Sequence, residues 1–357
     1  MKLKGFSPST VLTMLLTMIV LVSIAFTINF TASTGASIKS KVEVEQDLYT
    51  MSNALDAGKL YLDTSLKYST YQGAYDYGLE DKKDANLDSI ASGVSKKIKD
   101  NLNVYSKGSY KFLSDKYLVS LPSYKTVDSA IYKIGNTITG LSISAEPSDR
   151  MKISVENQNE ASVLEKSAGL DLDFPYPAIQ IADQLSPEKL KQKTNSIIST
   201  KWPKTAKKEI TGCKNKGQKI DTIDVFNEIS KMNGLQASTN LQEAGKALQN
   251  YISSSISDSG KEFSNNLITI QISAENSVGN VQLAEPCTEK IEDNCSKPES
   301  TFSQVKECNF NYFYSGEAKI TIRDGTKSYP VLATDLGESK VMFKNLIFKT
   351  TNSFASS

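Results

Sequence analysis

The chain has no histidine among its 357 residues. That excludes Ser-His-Asp and Cys-His catalysis, HExxH zinc sites and histidine pH switches. Arginine is nearly absent too: of 41 basic residues only Arg150 and Arg323 carry a guanidinium. Bidentate reading of phosphate or guanine leans on that fork, so specific nucleic-acid recognition is not expected. The formal net charge is +1, which leaves no global field to steer the chain toward a polyanion. P-loop, GxGxxG, DxDxDG and GxSxG motifs are all missing. Ser186-Pro187-Glu188-Lys189 and Ser303-Gln304-Val305-Lys306 spell SxxK, but no Lys-Thr-Gly partner exists. The first reads better as a helix start, with Ser186 as N-cap and Pro187 at the first helical position. No enzyme, cofactor or metal site is expected.

What is present begins with an apolar run. Between Lys4 and Lys39 there is no charged side chain, and Val11 to Phe30 is mainly Val, Leu, Ile, Met and Phe. Twenty helical residues at about 1.5 Å each span about 30 Å, the thickness of bilayer hydrocarbon. A signal-peptide core is shorter, about 7–15 residues. The expectation is therefore a retained membrane helix, with cleavage near Thr34-Gly35-Ala36 as the alternative. Lys2 and Lys4 favour a cytoplasmic N-terminus and an extracytoplasmic bulk, although Lys39 and Lys41 weaken the asymmetry. Ser9, Thr13 and Thr17 recur every four residues and could bond neighbouring helices or their own backbone.

Lys4-Gly5-Phe6-Ser7-Pro8, followed at once by the uncharged run, resembles the N-terminus of archaeal type IV pilin-like proteins. The resemblance covers about residues 2–30. It implies cleavage between Gly5 and Phe6 by a prepilin peptidase, with Pro8 in the first turn of the mature helix. Bacterial pilins carry a glutamate where this chain has Thr10, a residue often lacking in archaeal relatives. The implied partners are a membrane, the peptidase, and further copies or other pilin-like subunits.

After a polar stretch, Thr31 to Ser37, helical spacing resumes. Leu48, Leu55 and Leu62 fall seven apart beside Met51 and Leu66. Gly58 and Ser65 make that stripe a poor zipper core, so packing against the protein's own head is expected. Tyr61, Tyr68, Tyr71 and Tyr75 would mark the edge of that contact. A second helix is expected over Asn86 to Leu102. Strand texture follows in YLVSLP, SAIYKI, TITGLSISAE, MKISVEN and ASVLEKS, closed by Pro175 and Pro177. Helical segments then cover roughly Pro187 to Thr200, Thr222 to Met232 and Leu241 to Ser257. Strands return in NNLITIQISAE, NVQLAE, FNYFYS, AKITIR and KVMFKNLIFK. The recurrence of Ile143-Ser144-Ala145-Glu146 at Ile272 and, loosely, at Ile153 fits either a duplicated β unit or three similar strand ends.

Cys213, Cys287, Cys295 and Cys308 all lie in the extracytoplasmic portion, and their even number favours two disulfides over a zinc knuckle, for which no CxxC exists. The expected pairing closes CTEKIEDNC through Cys287 and Cys295 and joins Cys213 to Cys308. Asn294-Cys295-Ser296 and Asn29-Phe30-Thr31 are glycosylation sequons. From Pro187 to Ile220 there are ten lysines against Glu188 and Glu209. Lys201, Lys204, Lys207 and Lys208 could contact an anionic envelope glycan, or form a solvated surface with Trp202 packed inside.

The fold expected is α+β. An anchor over 1–36 leads to a helical spine over 37–104, a β-rich region over 105–180, a lysine-rich helical insertion over 181–262 and a second β-rich region over 263–357. The function expected is a pilin-like, membrane-anchored surface protein, as a minor or specialised subunit because major pilins are usually smaller. The alternatives are an anchored envelope protein whose ectodomain binds a ligand without polymerising, and an anchored enzyme.

Overall fold

In the computed structural model of the chain, residues 8–114, 116–157, 160–295, 301–335 and 338–356 are described. The chain is mixed α+β, with a long apolar N-terminal helix and a C-terminal part rich in sheet. That helix, α1 (Pro8–Leu79), runs 72 residues and is followed by β1 (Asp81–Lys83) and α2 (Leu87–Tyr105). Then come β2 (Ser109–Lys111), β3 (Leu118–Ser120), β4 (Tyr124–Ile134), β5 (Thr137–Pro147), β6 (Met151–Asn157), β7 (Glu160–Lys166) and β8 (Leu170–Pro175). Helices α3 (Pro177–Gln184) and α4 (Pro187–Lys201) precede β9 (Thr205–Thr211), and α5 (Thr222–Met232) and α6 (Leu241–Phe263) precede β10 (Ile268–Leu283). The chain closes with β11 (Thr288–Asp293), β12 (Phe302–Asp335) and β13 (Glu338–Ala355).

Helix α1 runs without a pause through the polar stretch Thr31–Ser37. Thr31 donates its hydroxyl to the Thr27 carbonyl at 2.7 Å, so the polar side chains are satisfied along the helix itself. Helix α2 starts where its cap dictates. Asn86 Oδ1 accepts the Ser89 amide at 2.8 Å, and Ser89 Oγ accepts the Asn86 amide at 3.0 Å.

Contacts divide the chain into two compact units that interleave along it. The first takes the chain up to Leu62 with Ser106–Ser123 and Pro147–Ala168; the second takes Asp63–Tyr105, Tyr124–Glu146 and everything from Gly169. In the first unit the antiparallel sheet β2-β3-β6-β7 lies on α1. Met151, Ile153 and Val155 point inward at every second position of β6 and join Val119 of β3 against Met51, Ala54, Leu55 and Leu62. Gly58 makes the approach close: a Cβ there would sit 3.2 Å from Val119 Cγ1. The buried carboxylate of Asp47 accepts from Lys116 Nζ and Tyr117 Oη, each at 2.7 Å. That hydrogen bond raises the Lys116 pKa and holds the loop between β2 and β3 on the helix.

The second unit has two sheets. Strands β4-β5-β8 form one, and α2 packs on β4 through Ile90, Val94, Ile98 and Leu102. Asn103 of α2 clamps Tyr124, accepting its amide at 2.7 Å and donating to its carbonyl at 3.2 Å. The larger sheet runs β1-β13-β12-β10, with β9 and β11 pairing the N-terminal part of β12 and α6 lying on β10. Residues Ile320, Ile322, Phe348 and Phe354 of the sheet are buried, as are Ile252 and Ile256 of α6. The three similar tetrapeptides fall in three different sheets, on β5, β6 and β10.

Strands β10 and β12 are each longer than the sequence pattern suggests. NNLITIQISAE and NVQLAE belong to one strand that shifts register between Glu275 and Val278, where Asn276 takes φ 49°. FNYFYS and AKITIR are likewise one strand, continuous through Gly316. A bulge adds a residue without ending a strand, so local alternation breaks while pairing continues.

Within the second unit, α1 meets β13 at Gly78, where any Cβ would run into the Ile347 carbonyl. Overpacking of this kind typically costs about 1–3 kcal/mol. Gly78→Ala should therefore lower the thermal midpoint of the detergent-solubilised chain. Gly35→Ala, at a helical position with open space around it, should leave the midpoint unchanged or raise it.

Candidate functional site

Three features stand apart from simple core packing: the exposed start of α1, the disulfide-braced strands, and a cleft in the second unit. From Leu16 to Phe30 every residue of α1 is exposed, including Met18, Val22 and Phe26 at 71%, 67% and 72%. It is the one helix among the described residues long and apolar enough to cross a bilayer, with a mean hydropathy of 1.9 over its best window; a signal sequence shares that character. No described side chain is buried before Asp47. Gly5 and Phe6, the expected processing pair, lie outside the described residues, as do the side chains of Ser9 and Thr13.

The cysteines form two disulfides, but in a different pairing from the one expected. Cys213 bonds Cys295 and Cys287 bonds Cys308, with Cα separations of 5.8 and 4.4 Å. CTEKIEDNC is not a loop: Thr288–Asp293 is strand β11, antiparallel to β12 with Thr288 opposite Glu307. Eight extended steps at about 3.3 Å carry Cys295 about 26 Å from Cys287, far beyond disulfide reach. The same register sets Cys287 across from Cys308. Strands β9 and β11 both run antiparallel to β12, so they finish at the same end of the ladder, where Cys213 and Cys295 meet. All six residues of β11 are exposed, so no apolar alternation marks it in the sequence.

The lysine-rich stretch is dispersed by its own secondary structure. Lys201 ends α4, Lys204 follows it, and Lys207 and Lys208 are neighbours on β9, whose successive side chains face opposite ways. Lys208 reaches Asp224 at 3.6 Å and Lys207 lies opposite Glu307 in the ladder. Farther along, Lys193 pairs with Glu262 at 2.9 Å and Lys216 with Asp293 at 2.7 Å. Trp202, 1% exposed, packs edge-on against Tyr251 and is not interleaved with the lysines. Of the SxxK matches, Ser186 and Pro187 open α4, whereas Ser303 and Lys306 sit three apart on a strand and so face opposite sides.

The cleft is built by residues that the sequence pattern does not single out as a group. It is an open cleft of about 520 Å3, walled by Lys67, Tyr68 and Tyr71 of α1 and by Lys327, Ser328 and Tyr329 of β12. Tyr68 meets Tyr71 edge-on at 6.3 Å, and Tyr71 leans on Tyr329 at 4.6 Å, with Phe174 behind both at 5.9 and 6.0 Å. Burial and the nearby Asp324 push the Tyr329 phenol up to about 12, so it stays a neutral donor across the physiological range. Among the described residues, the hydroxyls of Tyr68, Tyr71 and Tyr329 have no hydrogen-bond partner, and Lys67 and Lys327 have no ion-pair partner.

Lys327 reaches this wall because β12 bulges. Pairing with β13 jumps from Asp324–Leu346 to Ser328–Asn345, so Gly325, Thr326 and Lys327 loop out of the ladder. Asp324 fixes the excursion. Its Oδ1 accepts from the Thr326 amide at 2.9 Å and the Thr326 hydroxyl at 2.6 Å, while the Gly325 amide donates to the Leu267 carbonyl at 2.6 Å. Only the Asp-Gly-Thr turn chemistry within an otherwise strand-like run could have signalled it.

Peptide mapping of unreduced protein should recover the Cys213–Cys295 and Cys287–Cys308 links, and a Cys287–Cys295 peptide would contradict the register of β11. Loss of a native disulfide typically costs about 2–5 kcal/mol. Cys308→Ser with Cys287→Ser should accordingly lower the melting temperature.

No family profile, curated protein or solved structure matches the chain.

Proposed function

We propose that the chain is a membrane-anchored, extracytoplasmic surface protein of pilin-like construction, acting as a minor or specialised subunit of a filament-type assembly. One observation carries this reading: an apolar stretch of helix, exposed at every residue from Leu16 to Phe30, continues without a break into the helix on which the head folds. An apolar face of that size in water would be strongly unfavourable, at about 25 cal/mol per Å2. A bilayer, or other subunits in a filament, would cover it. Two disulfides and no free cysteine fit an oxidising compartment for the head. The Lys4-Gly5-Phe6 sequence adds the prepilin peptidase as a processing partner.

A second reading is favoured by the tyrosine cleft: an anchored ectodomain that binds a ligand and does not polymerise. Both place the N-terminus on the cytoplasmic side and the folded bulk outside.

Processing separates these readings from an ordinary secreted protein. N-terminal peptide mass spectrometry should find Phe6 as the first residue, and the chain should appear with other subunits in sheared surface filaments. Intact Met1 on most molecules, with none in that fraction, would favour the anchored receptor. A start near Ser37 would mean that the apolar helix is a discarded signal, and the proposal would fail.

A further inference from the structure

We infer that the cleft between Tyr68, Tyr71 and Tyr329 binds an acidic sugar, a uronate-bearing glycan. The inference stands whether or not the chain polymerises, since every wall residue belongs to the second unit.

The chemistry of the wall selects that ligand class. Tyrosine rings offer an apolar face for the C–H side of a sugar ring, and their hydroxyls offer hydrogen bonds to its rim. Three such hydroxyls lack partners among the described residues, and Tyr68 is 43% exposed at the mouth. Lys67 and Lys327 supply two exposed ammonium groups with no ion-pair partner among the described residues, flexible point charges suited to a carboxylate of variable position. The arginine forks that favour bidentate phosphate recognition are missing from the wall. A volume of about 520 Å3 lies within the usual range for small-ligand sites.

The bulge makes this more than a chance grouping. Asp324 is 1% exposed, and its Oδ2 has no hydrogen-bond partner among the described residues. A buried carboxylate with an oxygen unsatisfied among the described residues is unfavourable, and an uninterrupted ladder would have been the simpler strand. What the carboxylate holds is the excursion that carries Lys327 to the tyrosines. Ser328, next along, has its hydroxyl fixed on Asn345 Oδ1 at 2.7 Å. Lys327 is thus presented from a braced turn.

The test is calorimetric titration of the full chain in detergent with trigalacturonate, with maltotriose as the neutral control and oligothymidylate as a nucleic-acid control. Trigalacturonate should bind in the millimolar range or tighter, and maltotriose should bind more weakly. The surface variant Lys67→Gln with Lys327→Gln should keep its melting temperature and weaken binding by about tenfold. Tyr68→Ala should also weaken it, and saturation-transfer NMR should then lose the signal on the sugar C–H protons. Three results would each overturn the inference: no heat with trigalacturonate, binding unchanged in the double lysine variant, or oligothymidylate binding as tightly as the uronate.

Discussion

The buried stripe along the second half of α1 is the constraint on which both compact units depend. From Asp47 onward a residue points inward every three or four positions, through Met51, Ala54, Gly58, Leu62, Leu66, Ser69, Gly73 and Tyr77. Burial of a large aliphatic side chain contributes about 1.5–3 kcal/mol, so Met51, Leu55, Leu62 and Leu66 anchor the packing. The small residues between them set how near the sheets come. In the first unit Gly58 admits Val119, and in the second Gly78 admits the β13 backbone at Ile347. Before Asp47 no described side chain of the helix is buried. Its continuity there rests on propagation from segments already folded, since adding a turn to a helix is far easier than starting one.

That division gives one helix two physical chemistries. Leu16–Phe30 is uncharged and mainly apolar, which suits hydrocarbon or a sheath of like helices. The described side chains of Thr31–Gln46 are exposed, apart from half-buried Val44, and Asp47–Leu79 is amphipathic. At about 1.5 Å per residue the stretch Thr31–Gln46 is about 24 Å long. Under the proposed function it would stand the head off from the bilayer. The two disulfides act elsewhere, at the ends of β9 and of the fully exposed β11.

The helices and the buried strands could be read from residue spacing because burial on one face leaves a period. Asn86 and Ser186 marked helix starts, and MKISVEN alternates as β6 does. Strand β11 could not be read, since all its side chains face water and no period is imposed on them. The disulfide pairing went with it: a polar segment looks like a loop until its partner strand is known. The break after Glu275 looked like a strand end because a bulge and a terminus disturb alternation in the same way. The cleft was illegible for another reason. Tyr68 and Tyr71 are separated from Lys327 and Tyr329 by more than two hundred and fifty residues, and only the topology brings them together.

Hydrogen–deuterium exchange of the full chain in detergent micelles tests most directly whether one helix is divided in this way. Amides of Met51 to Tyr77 should be protected as strongly as those of the central strands β12 and β13, and should be released only on global unfolding. Amides of Thr31 to Gln46 should exchange orders of magnitude faster, although they belong to the same helix. Equal protection along the whole of α1, or fast exchange between Met51 and Tyr77, would contradict the account.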